Sequence, residues 1–247
     1  MIGVFDSGSG GLTVLKAIRE KLPKADIVYF GDIKNAPYGI KSIEELSDLT
    51  VHAIELLQRE GADKIVSACN SVSAAIAASL ADKLPKQMIE MVGPTVGAFK
   101  DSDARILLVA TPATIESEIY QNGFKMIGKE IVTLPIRDLA GAIEFGESDE
   151  KVEQIIRDSF NDIDTSEFDT LILGCTHYPL VREIFARTLP ALTIFDPATA
   201  VALRVATDMN EEGNGVIRFL ISKDSEPFRA RVDMLLPVTQ NEIRVLE

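Results

Sequence analysis

Short apolar runs alternate along the chain with longer stretches whose apolar residues recur every three or four positions. This is the pattern of strands feeding a parallel sheet through crossover helices, and it places the chain in the α/β class. Strands are predicted at 2–5, 27–30, 65–67, 106–109, 131–134 and 171–173, each too short for a helix and rich in Ile, Val, Leu or Phe. Helices are predicted at 12–22, 43–60, 73–84, 114–123, 150–163 and 180–189, where apolar residues fall on one helical face. A strand-like stretch at 216–221 follows the turn Gly213-Asn214-Gly215.

The landmarks repeat. Strands 2–5 and 106–109, strands 27–30 and 131–134, and the cysteines Cys69 and Cys175 recur at nearly one spacing, which predicts two similar lobes built on one ladder of elements. With a turn at Gly93-Pro94 as boundary, the first lobe is expected to comprise 1–93 plus 210–247 and to carry Cys69. The second comprises 94–209 and carries Cys175.

Composition narrows the class of function. The 247 residues are 46% hydrophobic and 26% charged, with a formal net charge of −13, the profile of a globular protein large enough for a sizeable core. The acidic balance and the scattered basic residues argue against a nucleic-acid partner. No apolar run approaches the roughly 18 residues of a membrane helix. Residues Met1 to Phe5 lead directly into Asp6 with no preceding basic group, so a secretory signal is not expected and the cytoplasm is. In that reducing compartment Cys69 and Cys175 are expected as thiols. The two Cys and two His are dispersed without a ligand spacing, so no metal site is expected.

Each cysteine ends an apolar strand, in Ile65-Val66-Ser67-Ala68-Cys69-Asn70-Ser71 and in Leu171-Ile172-Leu173-Gly174-Cys175-Thr176-His177. Ligands of parallel sheets bind outside the carboxyl ends of the strands, where helix N-termini favour anions. A thiol with a pKa near about 8.5 can there become a base or a nucleophile. One such cysteine is most simply an inert buried residue; two at equivalent strand ends favour chemistry. The loop Asp6-Ser7-Gly8-Ser9-Gly10-Gly11-Leu12-Thr13 fails the dinucleotide-binding fingerprint at Thr13, where its third glycine belongs. What remains is a turn carrying Asp6, which can accept from a substrate ammonium, set the protonation of a nearby thiol, or cap a helix. The loop Gly31 to Gly39 offers backbone N–H groups for an anion. His177 can exchange a proton with Cys175 or with a substrate, whereas His52 lies in a helical pattern and reads as packing or surface.

Taken together, Phe5-Asp6-Ser7-Gly8-Ser9-Gly10-Gly11-Leu12-Thr13-Val14, Tyr29-Phe30-Gly31-Asp32 with Pro37-Tyr38-Gly39, Ala68-Cys69-Asn70-Ser71, and Gly174-Cys175-Thr176-His177-Tyr178-Pro179-Leu180 resemble the cofactor-independent aspartate/glutamate racemases. The resemblance covers most of the chain. It implies two α/β lobes facing each other across a cleft, a homodimer, and interconversion of L- and D-glutamate with no cofactor, the D-isomer serving peptidoglycan synthesis. It implies Cys69 and Cys175 as the two acid/base groups, one on each face of the α-carbon, with Asp6 and His177 assisting them. Asp6, Ser7, Tyr38, Gly39, Asn70, Ser71, Thr176 and His177 are implied to bind the amino acid, and Glu144 aligns with an acidic residue near the second thiol.

The chain departs from the family pattern in three places. Ser71 replaces the usual Thr, Leu134-Pro135-Ile136-Arg137-Asp138-Leu139 lacks the usual Cys-Pro stretch, and Phe195-Asp196-Pro197-Ala198 departs from an Asp-Ser pattern. Arg137-Asp138 therefore leaves aspartate, or another acidic amino acid, as an alternative substrate. A non-catalytic amino-acid-binding module and a thiol–disulfide oxidoreductase are the alternatives from other classes. The distance in sequence between the cysteines speaks against the last.

Overall fold

The computed structural model describes all residues except 81–83, 86, 210–212, 238–240 and 247. Its strands are β1 (Ile2–Asp6), β2 (Ile27–Gly31), β3 (Lys64–Ser67), β4 (Met88–Ile89), β5 (Ile106–Ala110), β6 (Val132–Pro135), β7 (Thr170–Gly174), β8 (Thr193–Phe195), β9 (Ile217–Ile221) and β10 (Asn241–Val245). They form two sheets in which every pairing is parallel, with orders β10-β9-β2-β1-β3-β4 and β6-β5-β7-β8. The order β2-β1-β3-β4 thus recurs as β6-β5-β7-β8, and the cysteines follow the corresponding strands β3 and β7. The repeated ladder in the sequence is a repeated topology.

Helices cover both faces of each sheet, as parallel strands buried on both sides require. They are α1 (Leu12–Lys21), α2 (Ile43–Arg59), α3 (Asn70–Ala75), α4 (Val92–Gly97), α5 (Pro112–Glu116), α6 (Ile119–Met126), α7 (Leu139–Glu144), α8 (Asp149–Ser159), α9 (Arg182–Thr188), α10 (Pro197–Asp208) and α11 (Glu226–Leu235). Residues of α1, α10 and α11 build the core on one face of the six-stranded sheet, and residues of α2 and α3 the core on the other. On the four-stranded sheet, α7, α8 and α9 cover one face and α4 and α6 the other. Local signals set several boundaries. Ser42 and Glu45 close a reciprocal capping box on α2, and Ser148 caps α8, each cap contributing about 1 kcal/mol.

Four expectations shift. The helix expected over 114–123 is broken in two, because Glu118 adopts a left-handed conformation at φ 56° between α5 and α6. The helix expected over 73–84 begins earlier, at Asn70, and widens into a π turn over Ile76–Leu80; its positions 81–83 fall outside the described residues. Gly93-Pro94, expected as a turn, lies in the first residues of α4, where a proline needs no backbone donor. The return to the six-stranded sheet precedes residue 210. Ala198, Val201, Ala202 and Val205 of α10 already pack into the core beside α1, and β9 pairs with β2 beyond them.

Candidate active site

The cleft lies at the carboxyl ends of β1, β3 and β7. Its walls are Ser7, Pro37, Tyr38, Gly39, Cys69, Asn70, Ser71, Thr111, Ala140, Cys175, Thr176 and His177, drawn from both sheets. Cys69 and Cys175 are 5% and 6% exposed, and the free space between the walls is only about 10 Å³, room for about one water. Nine of the ten residues that the sequence placed at the substrate or as the two thiols line this one space, while the tenth, Asp6, stands behind it with Glu144.

Asp6 closes the end of β1 and is fully buried. Its Oδ2 accepts the backbone N–H groups of Gly8 and Gly11, each at 3.0 Å, and its Oδ1 accepts the Thr176 hydroxyl at 3.2 Å. The carboxylate therefore organises the glycine loop and reaches across to the residue after Cys175. Burial raises its pKa, against the opposing charge of His177 and the two backbone N–H bonds. Burial also pushes the Cys69 thiol up, and the nearby Asp6 carboxylate adds to the shift; N–H groups of Val72 and Ser71 at the start of α3 pull the other way.

On the other side Cys175 is backed by a chain of contacts. Its Sγ lies 3.8 Å from His177 Nδ1, and His177 Nε2 lies 2.8 Å from Glu144 Oε2. The same Oε2 accepts the Ser9 N–H at 3.0 Å and the Ser9 hydroxyl at 2.5 Å. Burial works against the charged imidazole, yet the hydrogen bonds to Cys175 and Glu144 and the Glu144 charge outweigh it, and His177 titrates well above its ordinary value. Burial likewise works to raise Glu144, but the His177 and Ser9 contacts hold it below the usual range. A base held by a carboxylate on one nitrogen, with a thiol at the other, can pass a proton to and from sulfur.

The glycines of the loop are required by this approach. A Cβ at Gly8 would lie 2.6 Å from Glu144 Oε1, and one at Gly10 would lie 2.6 Å from His177 Nδ1. Either would drive the loop away from the groups it holds.

The rest of the lining is polar and partly unpaired. Asn70 Oδ1 accepts the Tyr120 hydroxyl at 2.5 Å, while its buried Nδ2 has no partner. Ser71 Oγ lies 3.0 Å from Thr111 Oγ1, and Thr111 is 3.1 Å from Thr114, so the hydroxyl at position 71 is held in a threonine pair across the cleft. The Tyr38 hydroxyl donates to Asp32 Oδ2 at 2.7 Å, and Tyr38 and Gly39 both line the space. The sequence singled out neither Thr111, Ser9 nor Tyr120; their roles come from packing between distant segments, and only Ser9 had a local signal, its place in the glycine loop.

Of the three departures from the family pattern, Ser71 lines the cleft and the other two lie off it. Arg137 and Asp138 are exposed and do not line it. Asp196 accepts the Ala198 N–H at 2.9 Å and caps α10. His52 is an exposed residue of α2 with its ring edge-on to Phe30 at 6.4 Å. A larger apolar groove of about 580 Å³ runs past Ile76, Val92, Ile119 and Met126, and it contains neither thiol nor histidine. Among the described residues no group of three or more His, Cys, Asp or Glu is placed to hold a metal ion, and no helix is long and apolar enough to cross a membrane.

Comparison with known proteins finds a likeness over nearly the whole chain. Residues 2–205 match the family model described as Asp/Glu/hydantoin racemase. A glutamate racemase of Desulforudis audaxviator is 34% identical, the match covering 97% of this chain and 96% of the relative. The crystal structure of a glutamate racemase isoform from Bacillus anthracis superposes with a TM-score of 0.90 at 29% identity, covering 100% of this chain and 97% of the other. A Francisella tularensis glutamate racemase solved in complex with D-glutamate superposes with a TM-score of 0.85 at 29% identity, covering 100% and 97%.

Proposed function

The chain belongs to the Asp/Glu/hydantoin racemase family, and from that membership and the two thiols in one cleft we propose that it interconverts L- and D-glutamate by a two-base mechanism. Racemisation removes the α-proton from one face of the amino acid and delivers a proton to the other, so it needs an acid and a base on opposite sides of the α-carbon. Cys69 after β3 and Cys175 after β7 would serve as that pair. In one direction a thiolate takes the α-proton while the opposite thiol gives one up; in the reverse direction the roles exchange. Asp6 assists on the Cys69 side, and the His177–Glu144 pair on the Cys175 side. The unpartnered Asn70 Nδ2, the Ser71 hydroxyl, Ser7, Thr176, and the backbone at Tyr38 and Gly39 are the groups that would hold the substrate's carboxylates. Donors fixed in a dry site are what lowers the barrier to a carbanion next to a carboxylate.

The observation that carries the reading is the convergence of both thiols, each at the equivalent strand end of its sheet, on one buried space. A space of about 10 Å³ admits no glutamate, so substrate enters when the two sheets separate and the site closes around it. D-Glutamate made in this way would supply peptidoglycan synthesis.

Proton NMR in deuterated buffer tests the proposal, with L-glutamate and L-aspartate in separate tubes and optical rotation followed in parallel. Loss of the α-proton signal together with decay of rotation for glutamate is the expected result. The same behaviour for aspartate alone would replace the substrate and keep the mechanism. Exchange with neither would leave an amino-acid-binding module.

A further inference from the structure

Arg231 of α11 has no part in the two-base scheme, yet its guanidinium reaches the machinery on the Cys175 side. One terminal nitrogen donates to Ser9 Oγ at 2.5 Å and to the Glu144 carbonyl at 3.1 Å; the other donates to the Ile143 carbonyl. The first also lies 3.6 Å from the Glu144 carboxylate. Arg231 therefore touches Glu144 at both its backbone and its side chain, and it touches the serine that holds the same carboxylate oxygen.

The setting separates this arginine from the others. Its side chain is 15% exposed, whereas every other arginine in an ion pair among the described residues is at least 35% exposed. Surface pairs of that kind contribute little. The two carbonyls it binds are the last of α7, whose partners must come from beyond the helix; that of Ile143 also accepts the Gly146 N–H at 3.2 Å. A planar fork holds two nitrogens apart at fixed angles and so reaches Ser9 and both carbonyls at once; an ammonium, with three protons on one nitrogen, lacks that span.

We propose that Arg231 is a positioning residue: it ties the end of α7 and the glycine loop to α11, and so fixes the Glu144 carboxylate that holds His177 against Cys175. The inference rests on the racemase reading for its kinetic consequence, but the geometry it asserts is readable without turnover. The tail of the chain, which completes the six-stranded sheet, thereby reaches into the acid/base apparatus carried by the other sheet.

The test uses Arg231→Met and Arg231→Lys in the full-length protein, with Arg229→Met as control. Arg229 lies on the same helix and pairs with exposed Asp224 at the surface. Only two histidines are present, so the ring N–H proton of His177 is assignable by NMR. In the wild type this proton, bound to a buried carboxylate, should exchange slowly with solvent, and both Arg231 variants should exchange it faster. In the racemisation assay kcat should fall about tenfold or more with a smaller change in KM, since a misplaced proton relay costs turnover before binding. Arg229→Met should match the wild type in both measurements.

Unchanged His177 exchange in the Arg231 variants overturns the proposal whether or not the protein racemises glutamate. A fall in kcat with exchange unchanged also overturns it, because the loss would then be structural. Wild-type behaviour of Arg231→Lys overturns it too, since charge alone would suffice. Should Arg231→Met fail to fold, Arg231→Lys carries the same comparison. An inactive wild type that still shows the exchange difference would remove the racemase reading and leave the positioning role standing.

Discussion

His177 Nε2 and Glu144 Oε2 form a buried ion pair at 2.8 Å, the one among the described residues in which both side chains are less than 5% exposed. It links the glycine loop after β1 to the thiol after β7 through a single carboxylate oxygen. A pair this enclosed makes stability depend on pH in a definite direction.

Glu144→Gln should lower stability by about 3 to 5 kcal/mol, because it leaves the His177 charge uncompensated in the interior. His177 binds its proton more tightly folded than unfolded, so its contribution is complete below 6.5, its ordinary value, and is lost as pH rises through the higher folded value. Glu144 binds its proton less tightly when folded; its contribution is present above 4.5 and is lost as pH falls through the lower folded value. The difference in Tm between wild type and variant should therefore be largest between these two values and shrink on strong acidification. Thermal unfolding followed by circular dichroism across pH checks it, and a pH-independent difference would contradict the pairing.

Cys69→Ser and Cys175→Ser should each reduce racemisation by about 10³-fold or more, in line with the loss of one of two obligatory proton-transfer groups. The circular dichroism spectrum should not change, as both sulfurs border the cleft. Near-wild-type turnover in either variant would end the two-base scheme.

Gly8→Ala and Gly10→Ala place a methyl group against Glu144 and His177, respectively, at 2.6 Å. Each should cost about 1 to 3 kcal/mol of stability and about 10²-fold in kcat. Activity should fall much further than folding does, which a paired kinetic and denaturation measurement would reveal.

Tyr120→Phe removes the hydroxyl that donates to Asn70 Oδ1, a change of about 1 to 3 kcal/mol for a buried oxygen that loses its donor. The amide, no longer held, presents Nδ2 to the cleft less consistently. KM for glutamate should rise several-fold with kcat nearly unchanged; an unaltered KM would show that Asn70 does not contact substrate.

Much of the fold was legible because its signals are local and repeated. Six strands of β-branched and aliphatic residues stand out, and the recurrence of β2-β1-β3-β4 as β6-β5-β7-β8 leaves a matching spacing in the sequence. Among the elements missed, β4 has two residues and β8 three, and both lie at sheet edges, where apolar runs are short; β10 and the helices α4, α7, α10 and α11 were missed as well. The break at Glu118 is a single left-handed residue inside a helical pattern, and no spacing rule marks it. Asp196 lies at the end of an apolar run, but that the following helix packs beside α1 is a tertiary fact.

The site divides in the same way. The cysteines were legible from their place at strand ends, and the residues proposed to bind the amino acid from their resemblance to a known family. Thr111 against Ser71, Tyr120 on Asn70 and Arg231 on Ser9 join positions far apart in the chain, and no local pattern carries them.

The late position of β9 gives the protein a particular history on the ribosome. This strand pairs with β2 and separates it from β10, so β2 is synthesised long before the neighbour that covers its outer edge. Until residue 217 emerges, the nascent chain exposes an unpaired edge of Ile27, Val28, Tyr29 and Phe30, the kind of surface that recruits another chain. Release of a chain stopped before β9 should give aggregates detectable by light scattering, and a clear solution would show that the edge is protected in some other way. The segment from β9 onward both seals that edge and delivers Arg231, so a chain stopped before it is expected to be lost to aggregation rather than to accumulate as an idle enzyme.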